Sequence, residues 1–282
     1  MIKKLLGALA LSLTCALSFA AEGGHPLDRA PDRINDLPAL QNGAKLFVNY
    51  CLNCHSARSM RYNKLTEIGL TEEEIKKNLL FTTDKVGDLM TIAMTPEDGK
   101  KWFGTTPPDL SVIARAKSAT LGPSGVDYIY TYLRTFYRDT SKPNGWNNLV
   151  FPDVAMPNVL WELQGPRTLN RSMVNKVAQP DGTEVWQRTT ANYDSNGFSE
   201  IKSEVLNNYH GKASAKSALQ SADAARNARF DQDVADLSNF MGWMAEPVQQ
   251  FRTQLGVWVL LFLGLFLVVA WRLNGVYWKH VK

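Results

Sequence analysis

Two cysteines three positions apart, Cys51 and Cys54, are followed at once by His55 in this 282-residue chain. A C-x-x-C-H pattern is typical of covalent porphyrin attachment, because each thiol adds across one vinyl group and the two intervening residues let one turn of backbone span both vinyls. The histidine then lies beneath the ring, where its imidazole can bind the iron. The motif therefore predicts one covalent haem c, attached through Cys51 and Cys54, with His55 as an iron ligand.

Two other kinds of site use a C-x-x-C pair, and both fit the rest of the chain poorly. A zinc site takes about four ligands, yet the remaining histidines are scattered, at positions 25, 210 and 280, without a second ligand pair at metal spacing. A thioredoxin-like dithiol has no need of the adjacent histidine and lies in a βαβ context, which residues 40 to 60 do not suggest. The haem interpretation is favoured over both.

The charges of the chain indicate topology rather than a nucleic-acid partner. There are 31 basic and 27 acidic residues. Five basic residues lie at the ends, namely Lys3 and Lys4 at the start and Arg272, Lys279 and Lys282 after the last apolar run. Without these five, 26 basic residues stand against 27 acidic ones, so the globular part is close to neutral and gives no support to nucleic-acid binding.

Residues 1 to 21 have the composition of a secretory signal peptide: a lysine-bearing start, an apolar core and small residues before a cleavage point at Ala21. Cys15 lies inside this segment and is expected to be removed with it. Cys51 and Cys54 would then be the only thiols of the mature protein, as expected if both are bonded to haem in an oxidising compartment.

A second apolar run, from Thr253 to Trp271, has 19 residues without a charge, about the length that crosses the apolar core of a bilayer. It is uncapped and apolar on every face, which argues against a buried helix of a soluble domain. We interpret residues 251 to 272 as a membrane anchor and residues 273 to 282 as its tail. The basic tail is expected in the cytoplasm and residues 22 to 250 in the periplasm, as in a single-pass protein of the inner membrane.

Apolar periodicity predicts a mainly α fold for the haem domain. A first helix runs from Asn42 into the motif, and Gly43 within it suggests a close helix crossing. A capping box at Thr71 opens a second helix. A third helix follows a proline-rich run, and Asp109 or Ser111 is expected to cap it.

The second half of the chain is predicted to contain two further helices with a polar lobe between them. Apolar and aromatic residues recur at helical spacing from Tyr128 to Tyr137, and again from Asp231 to Glu246, where the helix should pack across the first one. Residues 160 to 230 are polar and rich in turns. We interpret them as an inserted lobe, with a hairpin turn between short strands at 179 to 182. Ala213 to Ala228 is expected to be a small-residue helix or a flexible stretch.

An electron carrier also needs a sixth ligand on the iron, and a methionine thioether is the usual partner of histidine in c-type cytochromes. Met94 and Met156 both follow an alanine in a loop, but only Met156 is followed by a proline that would stiffen a ligand loop. The sequence therefore favours Met156 over Met94. Other methionines are expected to be core or lobe residues, or too close to the motif: Met60, Met90, Met173, Met241 and Met244.

Four stretches of the chain, at 51–55, 107–111, 151–157 and 243–247, stand in this order before a single C-terminal anchor. Their sequences are Cys-Leu-Asn-Cys-His, Pro-Pro-Asp-Leu-Ser, Phe-Pro-Asp-Val-Ala-Met-Pro and Trp-Met-Ala-Glu-Pro. Together they resemble the cytochrome c1 family, the haem subunit of the quinol to cytochrome c oxidoreductase. The resemblance extends over nearly all of the exported chain except residues 160 to 230.

The resemblance implies roles for five residues outside the motif. Met156 would be the sixth ligand, and Pro108 would line the haem near the point where a backbone carbonyl orients the proximal imidazole. Tyr128 matches a tyrosine that neighbours the haem. The family tends to place an arginine near a haem propionate at the second basic position after the proline run, whereas here Arg115 comes first and Lys117 second, so either side chain could serve.

The function that the resemblance implies is electron transfer within a membrane complex. The protein would take single electrons from a Rieske iron–sulfur protein and pass them to a c-type cytochrome, beside cytochrome b, and would not be an enzyme on its own. A haem enzyme or sensor with an open sixth site would need a distal His or Arg over the iron, and no such pair is visible. The haem subunit of another membrane oxidase would more often have its anchor before the haem domain, or a second haem motif.

Overall fold

The computed structural model describes residues 25 to 180 and 182 to 280, so the predicted signal peptide lies outside the described residues. Helices surround the C-x-x-C-H motif. In chain order they are α1 (Leu37–Leu46), α2 (Glu72–Asn78), α3 (Pro96–Phe103), α4 (Ile113–Ala116), α5 (Gly125–Arg134), α6 (Trp161–Gln164), α7 (Ala224–Ala245) and α8 (Gln249–Tyr277). A π-helical turn at Phe47–Cys51 continues α1 into the motif, and 3₁₀ helices lie at Tyr62–Ile68 and Trp278–His280.

The strands pair antiparallel in three small sheets. They are β1 (Ala57–Arg61), β2 (Leu89–Met90), β3 (Phe136–Arg138), β4 (Trp146–Asn148), β5 (Arg167–Ala178), β6 (Glu184–Tyr193), β7 (Ser199–Val205) and β8 (Ser214–Ser221). The first two sheets are the pairs β1–β2 and β3–β4, and the third has the order β7-β6-β5-β8. Because 42% of the described residues are helical and 20% lie in strands, the expectation of a mainly α fold is met only in part.

The crossing of α1 over α7 forms the centre of the core. A Cβ on Gly43 would lie 2.3 Å from the Asp236 backbone oxygen and 2.5 Å from Phe240 Cβ, so α7 can approach this closely only at a glycine. One helical turn after Gly43, the rings of Phe47 and Phe240 lie 5.6 Å apart between centroids. The predicted close crossing at Gly43 and the packing of the two helices are confirmed.

Local signals predicted one helix start correctly and another incorrectly. Thr71 forms the capping box with Glu74 that opens α2. The third predicted helix is wrong in its cap: α4 begins at Ile113 without a side-chain cap, because Asp109 and Ser111 are hydrogen-bonded to the strand that follows the motif. The next helix, α5, also ends three residues earlier than expected, and the chain continues as β3.

The inserted lobe is a sheet with long strands rather than short ones. The predicted turn joins β5 to β6, with Gln179 N donating to Thr183 O at 2.8 Å. The expectation of a helix or flexible stretch at 213 to 228 is wrong for residues 214 to 221, because Ser214–Ser221 pairs with the free edge of β5 as β8, and is met only from Ala224 onward. The helix α7 begins only at Ala224, where the Asp223 side chain accepts from Arg226 N. Pairing with an existing strand has overridden the helix preference of the small residues.

The C-terminal helix stands apart from the core. Within the described residues, Phe251–Tyr277 is the one segment long and apolar enough to cross a membrane, and none of its most apolar stretch is buried inside the protein. Its start is joined to the haem domain through Glu246, whose carboxylate accepts from Arg252 Nε at 2.6 Å. The same carboxylate lies 2.8 Å from Arg115 Nη1, so α4 and α8 share one acidic residue.

We predict that Gly43→Ala lowers the free energy of unfolding by about 1–3 kcal/mol, the usual cost of overpacking a core. The nearest atom belongs to the backbone of α7, so no change of rotamer relieves the clash. Urea denaturation of the haem-loaded protein measures the effect. Gly87→Ala is the matched control, because nothing lies within 4 Å of its Cβ. Equal stability of the two variants would contradict the close crossing.

Candidate haem site

His55 is held from one side by a backbone carbonyl. Its Nδ1 lies 2.7 Å from Pro108 O, and since a carbonyl oxygen only accepts, Nδ1 carries the proton and Nε2 keeps its lone pair. Burial lowers the pKa of His55, although the hydrogen bond to Pro108 and the charge of Asp109 oppose this shift. The neutral ring with one nitrogen tied to a carbonyl is the usual state of a metal-binding histidine.

The Pro108 carbonyl is placed by three hydrogen bonds between its segment and the start of β1. These bonds run from Leu110 N to Ser56 O at 2.9 Å, from Arg58 N to Asp109 Oδ2 at 2.8 Å and from Ser59 N to Ser111 Oγ at 2.9 Å. Asp109 and Ser111, which the sequence predicted as helix caps, therefore attach the proline segment, residues 107 to 111, beside the motif. Their position fixes the direction of the His55 imidazole.

Both cysteines of the motif are free thiols, with Cys51 buried and Cys54 half-buried. Burial, reinforced by the neighbouring Cys54, raises the pKa of Cys51 to about 12, and burial also raises the pKa of Cys54. In the absence of a bound group, both thiols therefore keep their protons at neutral pH.

Met156 lies in the loop after β4 and packs against the cluster around Phe136. The hydroxyl of Tyr132 donates to Met156 Sδ across 3.4 Å. Burial raises the pKa of Tyr132, so this hydroxyl keeps its proton. A thioether sulfur accepts such a bond weakly and retains a second lone pair. The sulfur of Met156 is thus held in place while still able to bind a metal.

Tyr132, which contacts Met156, is in turn in contact with Tyr128, and Tyr128 with a basic side chain. The rings of Tyr128 and Tyr132 are stacked, with centroids 6.1 Å apart and planes 7° from parallel, and Lys117 Nζ lies 4.8 Å from the Tyr128 centroid. Arg115 is instead paired with Glu246 at the start of the membrane helix. Lys117 and Tyr128 are therefore linked to Met156 through Tyr132. Arg115 contacts Glu246 instead.

Sequence reasoning missed Tyr132 and Glu246. A signal for Tyr132 was present, because it follows Tyr128 by four residues and so shares its helix face. Glu246 contributed only to the resemblance at 243–247, since a carboxylate that joins two arginines from distant segments leaves no local pattern.

Comparisons with known proteins decide the family. The profile of the Cytochrome C1 family matches residues 31–167 and 212–281. The chain belongs to the cytochrome c1 family. The gap in the match, at 168–211, falls on β5, β6 and β7 of the lobe and lies within the longer region, 160 to 230, that the sequence resemblance left out.

Individual relatives align with most or nearly all of the chain. Cytochrome c1 of Allochromatium vinosum is 37% identical over 281 residues, which cover 99% of this chain and 100% of the relative. Cytochrome c1 of Rhodospirillum rubrum is 28% identical over 271 residues, covering 88% of this chain and 83% of the relative. A Nitrosomonas europaea protein named ammonia monooxygenase gamma subunit is 41% identical over 281 residues, covering 100% and 99%.

Membership of the cytochrome c1 family establishes the cofactor and the general function. The family carries one covalently bound haem c. The protein is accordingly a membrane-anchored, haem-containing electron-transfer subunit of the cytochrome bc1 complex.

On the hypothesis that Met156 binds the iron, Tyr132→Phe is expected to lower the midpoint potential by roughly 20–65 mV, the size of one net hydrogen bond in a one-electron couple. The Tyr132 hydroxyl withdraws electron density from Met156 Sδ, so its removal would make the sulfur a stronger donor and favour ferric iron. A potentiometric titration of the purified protein measures the shift. Tyr128→Phe is the control, since its ring stacks on Tyr132 but its hydroxyl is not bonded to Met156. Equal shifts in both variants would assign the effect to packing.

Proposed function

We propose that this cytochrome c1 takes single electrons from a Rieske iron–sulfur protein and passes them to a c-type cytochrome in the respiratory quinol–cytochrome c oxidoreductase. The observation that carries the proposal is the His55–Pro108 hydrogen bond, which occupies Nδ1 of a half-buried imidazole and leaves Nε2 free, in a residue that directly follows the two thiols in the sequence. Haem c, when bound, supplies a one-electron change of oxidation state. The residues of the chain attach it, fill its axial positions and keep it at the membrane.

In this proposal Cys51 and Cys54 would form the thioether bonds, and His55 and Met156 would bind the iron. With two protein ligands besides the porphyrin, the iron would have no open site for a substrate or gas. This distinguishes the electron carrier from a haem enzyme or sensor.

Met156 is preferred to Met94 because of the sides on which the two residues lie. Met94 lines a pocket together with Pro107 and Pro108, so it lies beside the segment whose carbonyl is bonded to His55. A sixth ligand has to approach the iron from the face opposite to His55. Met156 does not line that pocket, and it packs beside Tyr132 and Phe136 as well as against the main core.

Pro108 is proposed to orient the proximal imidazole and Tyr128 to neighbour the haem. Of the two basic residues considered for the haem propionates, Lys117 is the better candidate, because its ammonium lies over the Tyr128 ring. Arg115 already has a carboxylate partner in Glu246. A second role for Arg115 at a propionate would require it to share or leave that partner.

The proposed topology places residues 22 to 250 in the periplasm, residues 251 to 272 in the inner membrane and residues 273 to 282 in the cytoplasm. It is supported by the basic residues after the apolar helix. Cytochrome b and the Rieske protein are the proposed neighbours, because one haem accepts one electron and a quinol releases two. Tethering to the same membrane complex raises the effective concentration of the haem near its donor.

Met156→Leu should leave a folded, haem-loaded protein whose midpoint potential falls, on the order of 100 mV or more, because a soft thioether that favours ferrous iron has been replaced at similar volume. Redox titration with optical detection measures the potential. Met94→Leu is the matched control and should leave it unchanged. A fall in the Met94 variant alone would transfer the ligand to Met94.

A chain that ends before residue 250 should remain a soluble, reducible cytochrome with its own potential largely intact. In membranes that lack the native subunit, it should support quinol-driven turnover on the order of a hundredfold more slowly than the full chain, because the tether is lost. Stopped-flow reduction by quinol measures the rate. Turnover at the full-length rate would contradict the role of tethering.

A further inference from the structure

The Met156 loop is built on three asparagines, Asn144, Asn147 and Asn148, which we call the asparagine frame. Asn147 and Asn148 are buried, and Asn144 is half-buried. An asparagine amide both donates and accepts on a short side chain, so it can satisfy backbone groups of an irregular loop that has no partner strand. In the segment that follows β4, the frame supplies hydrogen bonds to the backbone that a neighbouring strand would supply in a sheet.

Asn144 acts on the two residues directly before Met156. Its Nδ2 donates to Val154 O at 3.2 Å and to Ala155 O at 3.1 Å. Its Oδ1 accepts from Trp146 N at 2.9 Å. Every polar atom of this side chain is therefore used, and both donors fix carbonyls beside the ligand.

The other two members of the frame hold the earlier part of the loop and connect it to Tyr132. Asn147 Oδ1 accepts from Asp153 N at 2.9 Å, and Asn148 Oδ1 accepts from Phe151 N at 3.0 Å. Asn148 Nδ2 donates to Tyr132 O at 2.7 Å. The backbone of Tyr132 is thus tied to the loop whose sulfur its hydroxyl contacts.

We propose that Asn144 is a positioning residue for the sixth axial ligand. Its amide fixes the backbone of Val154 and Ala155, so that the Met156 sulfur is presented to the iron by a loop that is already ordered. A mobile loop would lose conformational freedom each time the ligand bound, and the ligand would spend more time off the iron. The inference rests on the proposed assignment of Met156 as that ligand.

Carbon monoxide is the probe, because it binds ferrous haem only when the sixth ligand has left. In the full-length, haem-loaded protein, Asn144→Asp keeps the size of the side chain and the acceptor for Trp146 N but removes both donors. We expect it to bind carbon monoxide about tenfold faster, as the carbonyls of Val154 and Ala155 lose their partner, and to weaken the methionine-to-iron absorption band of the ferric form. Asn170→Asp is the matched control: it removes a donor to Asn192 Oδ1 on the lobe and should bind at the parental rate.

The outcomes separate the two proposals. If Met156→Leu keeps the band and the parental carbon monoxide rate, the ligand assignment fails. If Met156→Leu loses the band while Asn144→Asp keeps both the band and the rate, Met156 stands as the ligand and the role of Asn144 is overturned. Asn144→Ser, small and neutral, is the second variant if the aspartate prevents folding. Its hydroxyl can serve one carbonyl at most, so an intermediate rate is expected and a parental rate overturns the proposal.

Discussion

The hydrogen bond between His55 Nδ1 and Pro108 O is the contact on which the arrangement of the site depends. It selects the tautomer of the imidazole, sets the plane of the ring and leaves Nε2 as the only basic nitrogen. The bond exists because the proline segment is itself attached to β1 through Ser56, Asp109 and Ser111. Helix α1 and its π-helical turn bring the histidine to this position, and their own place is set by the glycine contact with α7.

The two sides of the proposed haem site are built by different means. On the His55 side, the ligand lies next to the two attachment thiols in the sequence, so little chain entropy is lost in bringing them together. On the Met156 side, an irregular loop is ordered by side-chain amides and by a tyrosine from α5. Loops of this kind are stable only when their buried backbone groups find partners, which explains the density of asparagine around β4.

The apolar helix α8 is suited to hold the protein at a membrane, and Glu246 connects this helix to the rest of the domain. One carboxylate, largely shielded from solvent, accepts from arginines of α4 and α8. Pairs between exposed arginines and carboxylates contribute little to stability by themselves. Their effect here is geometric: the direction in which α8 leaves the domain is tied to the helix that follows the proline segment.

The sequence by itself determined the features whose chemistry is local. The capping box at Thr71, the apolar C-terminal helix, and the proposed attachment thiols and proximal histidine are each contained within one turn or one continuous run, so residue type and spacing are sufficient to predict them. The tertiary structure decided the rest, because it concerns atoms that compete for partners far apart in the chain. The His55 partner lies 53 positions away and the Met156 partner 24. Asp109 and Ser111 could cap a helix or contact a strand. Residues 214 to 221 could form a helix or a strand. The neighbouring strands, β1 and β5, settled both choices by offering backbone groups with which these residues form hydrogen bonds.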